Sequence, residues 1–162
     1  MKKTDQTKLR IALLGPSAPF RGGISQFAQM LAAELTRQGH SVMMFSFIKQ
    51  YPALIFPGSE QTDKSSTSSD LEIAEVLTPY LPWTWNKAAR EIQAFSPDLL
   101  IVSYWLPFFA PAFAWICSKL KNTKIYFLAH NIQSHEKWPL GSELRNLALK
   151  QADKLIVLSQ SC

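Results

Sequence analysis

The segment Ala129-His130-Asn131-Ile132-Gln133-Ser134-His135-Glu136 gathers two histidines, an asparagine and a glutamate. An imidazole titrates near neutrality, so His130 is a candidate acid, base or hydrogen-bonding group at physiological pH. The cluster directly follows Lys124-Ile125-Tyr126-Phe127-Leu128, which reads as a strand buried on both faces. In an open parallel sheet, ligands bind outside the carboxyl ends of the strands. A polar cluster at such an end fits a ligand site; the alternative is an ordinary loop with two surface histidines.

A second constellation is Arg21-Gly22-Gly23, just before a run with helical spacing. Paired glycines let backbone N–H groups approach a ligand closely, and a helix N-terminus favours an anion. Arg21 can add a positive charge. The competing reading is a tight turn that needs positive φ. Gly15-Pro16-Ser17-Ala18 is not a GxGxxG fingerprint, and no GxxxxGK[ST] loop occurs. His135-Glu136 begins like a zinc-protease motif but lacks the second histidine, and there is no GxSxG elbow for a serine nucleophile. His40, after Gly39, reads as a cap or surface residue, and Asp98, before a strand, as structural.

The elements that must position these groups follow from periodicity. Strands are expected at Leu9–Leu14, Ser41–Phe47, Glu72–Leu77, Asp98–Ser103, Lys124–Leu128 and Lys154–Ser159. Helices are expected between them. One has Ile24, Phe27, Ala28, Leu31 and Leu35 inward and ends at Gly39; a second carries Trp85, Ala88, Ala89, Ile92 and Phe95 and stops at Ser96-Pro97. A third runs from Phe108 to Leu120, and a fourth from Leu140 to Gln151 with Leu144, Leu147 and Ala148 inward. Strands alternating with helices imply an α/β, Rossmann-like parallel sheet with helices on both faces. The carboxyl ends then bring Arg21-Gly22-Gly23, the residues from Phe47 onward, Trp105, the His130–Glu136 segment and Ser159 to one crevice. The last strand has no helix after it, so the sequence is expected to be a fragment of something longer.

Length and composition agree with one globular domain: 162 residues, 47% hydrophobic and 18% charged. Two cysteines, Cys117 and Cys162, build neither a metal site nor a disulfide framework, which favours a reducing compartment. No secretory leader is read after Lys2-Lys3. The greasy run Leu106–Cys117 is too short to span a bilayer and holds Pro107 and Pro111. The net charge of +5 fits attraction to a phosphorylated ligand or an anionic membrane surface, or simple solubility. The long irregular segment Lys49–Asp70 starts with Tyr51, Leu54, Ile55 and Phe56. With Trp83, Trp85 and Trp105 it supplies exposed-aromatic candidates for peripheral membrane contact; packing in the core is the alternative.

Taken together, the segments resemble the N-terminal domain of family 4 glycosyltransferases, which have the two-domain GT-B architecture. The resemblance rests on Gly15-Pro16 after the first strand, Arg21-Gly22-Gly23-Ile24, Ala129-His130-Asn131 with His135-Glu136, and the closing Ala152-Asp153-Lys154-Leu155-Ile156-Val157-Leu158-Ser159. Gln50-Tyr51-Pro52 and Phe56-Pro57-Gly58 resemble a bacterial subgroup.

This likeness implies retaining transfer of a sugar from a nucleotide-diphosphate donor, with no metal or other cofactor, to a glycan or lipid-linked acceptor in cell-envelope or polysaccharide synthesis. It implies a cytoplasmic protein, peripheral at the inner face of the plasma membrane in one reading, with no nucleic-acid partner. Residues 1–162 are then the acceptor-side domain. Arg21, Gly22 and Gly23 approach the donor diphosphate; His130 makes the catalytic contact; Trp105, Asn131, His135 and Glu136 contact substrate. A second domain, with most of the donor site and an E-x7-E glutamate pair, is missing, so this fragment alone is expected to be inactive. Two alternatives stay open: a nucleotide-sugar epimerase-like GT-B relative, and an inactive, binding-only fragment.

Overall fold

The computed structural model describes residues 7–20, 22–52, 54, 70–130 and 139–158. Among them, strands and helices alternate except that β3 follows β2 directly: β1 (Arg10–Leu14), α1 (Gly23–Arg37), β2 (Ser41–Phe47), β3 (Glu72–Leu77), α2 (Pro82–Phe95), β4 (Leu99–Tyr104), a 3-10 turn (Pro107–Phe109) running into α3 (Ala110–Lys119), β5 (Lys124–Ala129), α4 (Gly141–Leu149) and β6 (Lys154–Val157). Among the described residues, six strands form one sheet in the order β3-β2-β1-β4-β5-β6. Every pairing is parallel. This is the Rossmann-like α/β sheet expected from the alternation.

Side chains alternate across the sheet, so each strand feeds two cores. Ala12, Leu14, Phe45, Leu100, Val102 and Phe127 pack under Ala88 and Ile92 of α2, Phe113 and Ile116 of α3, and Ala148 of α4. Ile11, Leu13, Met44, Ile101 and Leu128 face the other way, against Ala28 and Ala32 of α1. Helices therefore cover both faces.

Helix ends follow local chemistry. Past α1, the Gly39 N–H donates to the Thr36 carbonyl (2.9 Å) and the His40 N–H to that of Leu35 (3.1 Å), with Gly39 at φ 96°. That is a Schellman closure, and Gly39 takes the positive φ it needs. Pro82 occupies the first turn of α2, where its missing N–H costs nothing; Ser96, at φ 52°, ends the helix before Pro97.

The two strand-leading aspartates act alike. Asp98 accepts from the Arg10 N–H (2.8 Å) and returns its own N–H to the Arg10 carbonyl (2.8 Å). Asp153 does the same with Ile125, at 2.8 and 2.7 Å. Each clamps a neighbouring strand at its amino end, so Asp98 is structural, as expected. His40 accepts the Leu9 N–H through Nδ1 (3.1 Å), a fastening of the strand entry.

Some expected faces change. Leu147 is 45% exposed, while Leu144 and Ala148 carry the inward face of α4. Phe47 is fully buried and does not front the crevice. Trp85 is half-buried, its Nε1 donating to the Pro79 carbonyl (3.0 Å), and Trp105 packs inward as well. Of the three tryptophans expected at the surface, only Trp83 is largely exposed, at 69%. Among the described residues, no helix is long and apolar enough to cross a membrane.

Candidate functional site

The strand order reverses between β1 and β4: β2 and β3 lie to one side of β1, β5 and β6 beyond β4. Chains leaving the carboxyl ends of β1 and β4 run to opposite sides and leave a crevice. An open pocket of about 520 Å³ sits there, lined by Gly23, Ile24, Phe27, Trp105, Leu106 and His130. Of the residues read as site candidates, it joins Gly23, Trp105 and His130.

The β1–α1 turn fits against the sheet through Gly15. A Cβ on Gly15 lies 2.8 Å from the Ser103 Cβ, too close for any side chain. The Gly15 N–H donates to the Phe45 carbonyl (3.1 Å), and that of buried Ser17 to Ser46 Oγ (3.1 Å), tying the turn to β2. The Ala18-Pro19 peptide bond in this turn is cis.

The paired glycines play different parts. Gly22 is the N-cap of α1 at φ 121° and ψ 166°, a backbone conformation almost confined to glycine. Gly23 has no positive φ, and an added Cβ meets nothing within 4 Å among the described residues. The turn explains Gly22. It does not explain Gly23, whose bare backbone borders the pocket. Among the described residues, the first turn of α1 has no side-chain cap, and it holds no acidic residue, so its N–H groups and positive dipole end are open to other partners.

His130 ends β5, its N–H donating to the Tyr104 carbonyl (3.0 Å). Alternation puts it on the α1 side, in line with Leu128. There it meets the Phe27 ring edge-on, centroids 5.5 Å apart. Nε2 is buried with no hydrogen-bond partner among the described residues. Burial lowers its pKa, so the ring is neutral at pH 7 and offers one donor and one acceptor nitrogen.

Trp105 is held by aromatics: Phe109 at 4.3 Å between ring centroids and Phe47 at 6.1 Å. Its Nε1 donates weakly to the Tyr51 hydroxyl (3.4 Å). Such pairs add about 0.5–1.5 kcal/mol each beyond area burial, so the indole forms a stiff wall. Tyr104, on the opposite face from His130, is buried with its hydroxyl unpartnered among the described residues, and burial pushes its pKa up to about 12.

Arg21, Asn131, His135 and Glu136 lie outside the described residues. Ile24, Phe27 and Leu106 were not anticipated as pocket residues. Phe27 reads as core by helical spacing, yet it is 37% exposed and faces the pocket. A large ring one turn past a Gly-Gly pair was the available clue. Among the described residues, no group of three or more His, Cys, Asp or Glu side chains could hold a metal ion.

A parallel sheet with an open pocket at its switch point is the arrangement in which α/β domains hold ligands. The Glycosyltransferase Family 4 pattern matches residues 21–162, and the chain belongs to that family. No curated protein sequence matches. Among solved structures, it is similar to an α-glucosyltransferase in complex with UDP and a 13-mer DNA (TM-score 0.57, 12% identity), covering 93% of this chain and 38% of that one. It is also similar to a sucrose-phosphate synthase from Thermosynechococcus elongatus (TM-score 0.50, 16% identity), covering 93% and 77%. At these identities the likeness is one of fold. The chain spans little more than a third of the α-glucosyltransferase.

Proposed function

We propose that residues 1–162 form the N-terminal, acceptor-side domain of a retaining glycosyltransferase. It moves a sugar from a nucleotide-diphosphate donor to a glycan or lipid-linked acceptor in bacterial cell-envelope or polysaccharide synthesis. The reading rests on family membership. The observation that carries the site is the switch-point pocket, where Gly23, Trp105 and His130 meet.

Each residue has a matching task. The bare backbone of Gly22-Gly23 and the uncapped α1 terminus suit the donor diphosphate, with Arg21 adding charge. The fold neighbour in complex with UDP is in keeping with such a donor. Trp105 offers an aromatic wall to a sugar ring. Neutral His130 offers a hydrogen bond to the sugar or acceptor without placing a positive charge beside an oxocarbenium-like centre. Asn131 orients the loop, and His135 and Glu136 contact the acceptor. Most of the donor site and the paired glutamates belong to a second α/β domain, so this domain alone does not turn over. The chemistry uses no metal and no other cofactor, and the enzyme works in the cytoplasm.

The test joins the domain to its donor-binding half. His130→Ala lowers kcat/KM roughly ten- to a hundredfold, the worth of about 1.5–3 kcal/mol for one hydrogen bond to developing charge. Its melting temperature stays near that of the parent. Unchanged kcat/KM in a folded His130→Ala enzyme makes the residue a bystander.

A further inference from the structure

An open cavity of about 580 Å³ lies at the other end of the sheet from the crevice. It sits between the loop from α2 into β4 and the loop from α3 into β5, with Gln93, Ser96, Asp98, Lys121, Asn122 and Thr123 in its lining. β4 has six residues, so the two openings stand roughly 20 Å apart along the strands. We propose that this cavity holds the phosphate group of a small phosphorylated molecule, at a site separate from the crevice. The proposal does not depend on the transferase reading.

The carboxyl ends of α2 and α3 meet here, and bare carbonyls at two helix ends would repel an anion. Named donors already occupy them. The Gln93 Nε2 donates to the Lys119 carbonyl (2.7 Å), the Ser96 Oγ to the Gln93 carbonyl (3.0 Å) and the Leu120 N–H to that of Cys117 (3.1 Å). Arg10 covers the end of α2, its Nε and Nη2 at 2.9 and 2.6 Å from the Phe95 carbonyl, and brings a positive charge with it. The Thr123 Oγ1 donates to the Pro97 carbonyl (3.0 Å).

What is left over is a set of donors. Among the described residues, the backbone N–H groups of Lys121, Asn122 and Thr123 make no hydrogen bond. They follow one another, and Asn122 turns the chain at φ 61°, a left-handed conformation that asparagine tolerates. Successive N–H groups in such a turn form concavities that bind anions. Lys121 adds a positive charge, as does Lys119, whose Nζ stands 4.2 Å from the centre of the Trp115 ring. Asp98 is the one acidic residue in the lining, and its Oδ2 accepts the Arg10 N–H (2.8 Å). The hydroxyls of Ser96 and Thr123 have given their protons to carbonyls and keep lone pairs for hydroxyl groups of a ligand. The volume exceeds that of a phosphate ion, so a phosphate ester of a small polyol fits the lining better than free phosphate does.

Heteronuclear NMR titration of the 162-residue chain with β-glycerophosphate, inorganic phosphate and glycerol, at constant ionic strength set with chloride, tests it. β-Glycerophosphate should shift the amide signals of Lys121, Asn122 and Thr123 saturably. Inorganic phosphate should do so more weakly, and glycerol should not. Lys121→Gln should weaken binding by up to about fivefold, the worth of one exposed ion pair. Lys121→Glu should weaken it further, and both variants should keep the parent's melting temperature. Shifts at Gly22 and Gly23 report the crevice separately. A phosphate response there without one at Lys121, Asn122 and Thr123 overturns the second site and leaves the transferase reading standing. No saturable shift at those three amides, an equal shift with glycerol, or undiminished binding by the folded Lys121 variants overturns the proposal.

Discussion

Gly22 and Gly23 should respond oppositely to the same substitution. Gly22 sits at φ 121° and ψ 166°, where a Cβ is strained whatever the space around it. Holding a non-glycine residue there costs about 1–3 kcal/mol. For a domain of this size that lowers the melting temperature by roughly 2–12 °C, at about 2–4 °C per kcal/mol. Gly23 has no positive φ, is the first residue of α1, and has nothing among the described residues within 4 Å of an added Cβ. Gly23→Ala removes backbone freedom from the unfolded chain and should raise stability by about 0.4–1 kcal/mol. Urea unfolding of both variants measures the pair. Gly23→Val, with branched bulk over the pocket edge, should abolish sugar transfer in the proposed two-domain enzyme while the fold persists. A Gly23→Ala variant less stable than the parent, or a Gly22→Ala variant as stable, refutes the assignment of one glycine to the turn and the other to the ligand. A fully active Gly23→Val enzyme removes the loop from the site.

Two further outcomes are expected. Gly15→Ala forces a Cβ to 2.8 Å from that of buried Ser103 and should cost about 1–3 kcal/mol; adding Ser103→Gly should recover part of it in a double-mutant cycle read by thermal unfolding. Burial depresses the pKa of His130, so the folded state resists its protonation. The stability this represents is fully present above the unfolded-state value of about 6.5 and is lost as pH falls from there through the folded value. Melting temperatures across pH 5–8 should fall less steeply on acidification in His130→Gln than in the parent, and parallel curves contradict this.

The chain order of strands and helices was legible from residue types alone. β2 and β3 begin and end where their apolar runs do, and Gly39 and Ser96-Pro97 close α1 and α2 as their backbone preferences require. The class of the sheet followed, because uninterrupted apolar strands alternating with helices must lie parallel and covered. Trp105 and His130 were legible as site candidates because each directly follows an apolar run. Neighbours in space were not. Periodicity tells which face of an element is apolar, not which element covers it, so only the assembled sheet put β1 beside β4 and the pocket at their carboxyl ends. The same limit explains Phe27 and Leu147, spaced as core yet exposed: α1 and α4 bury a stripe of small residues, Ala28, Ala32 and Ala148, and leave their larger neighbours at the margin. Backbone geometry is also settled only by closure of the chain. Two adjacent glycines look alike in sequence, and the turn from β1 into α1 is what forces a positive φ on Gly22 and leaves Gly23 unconstrained.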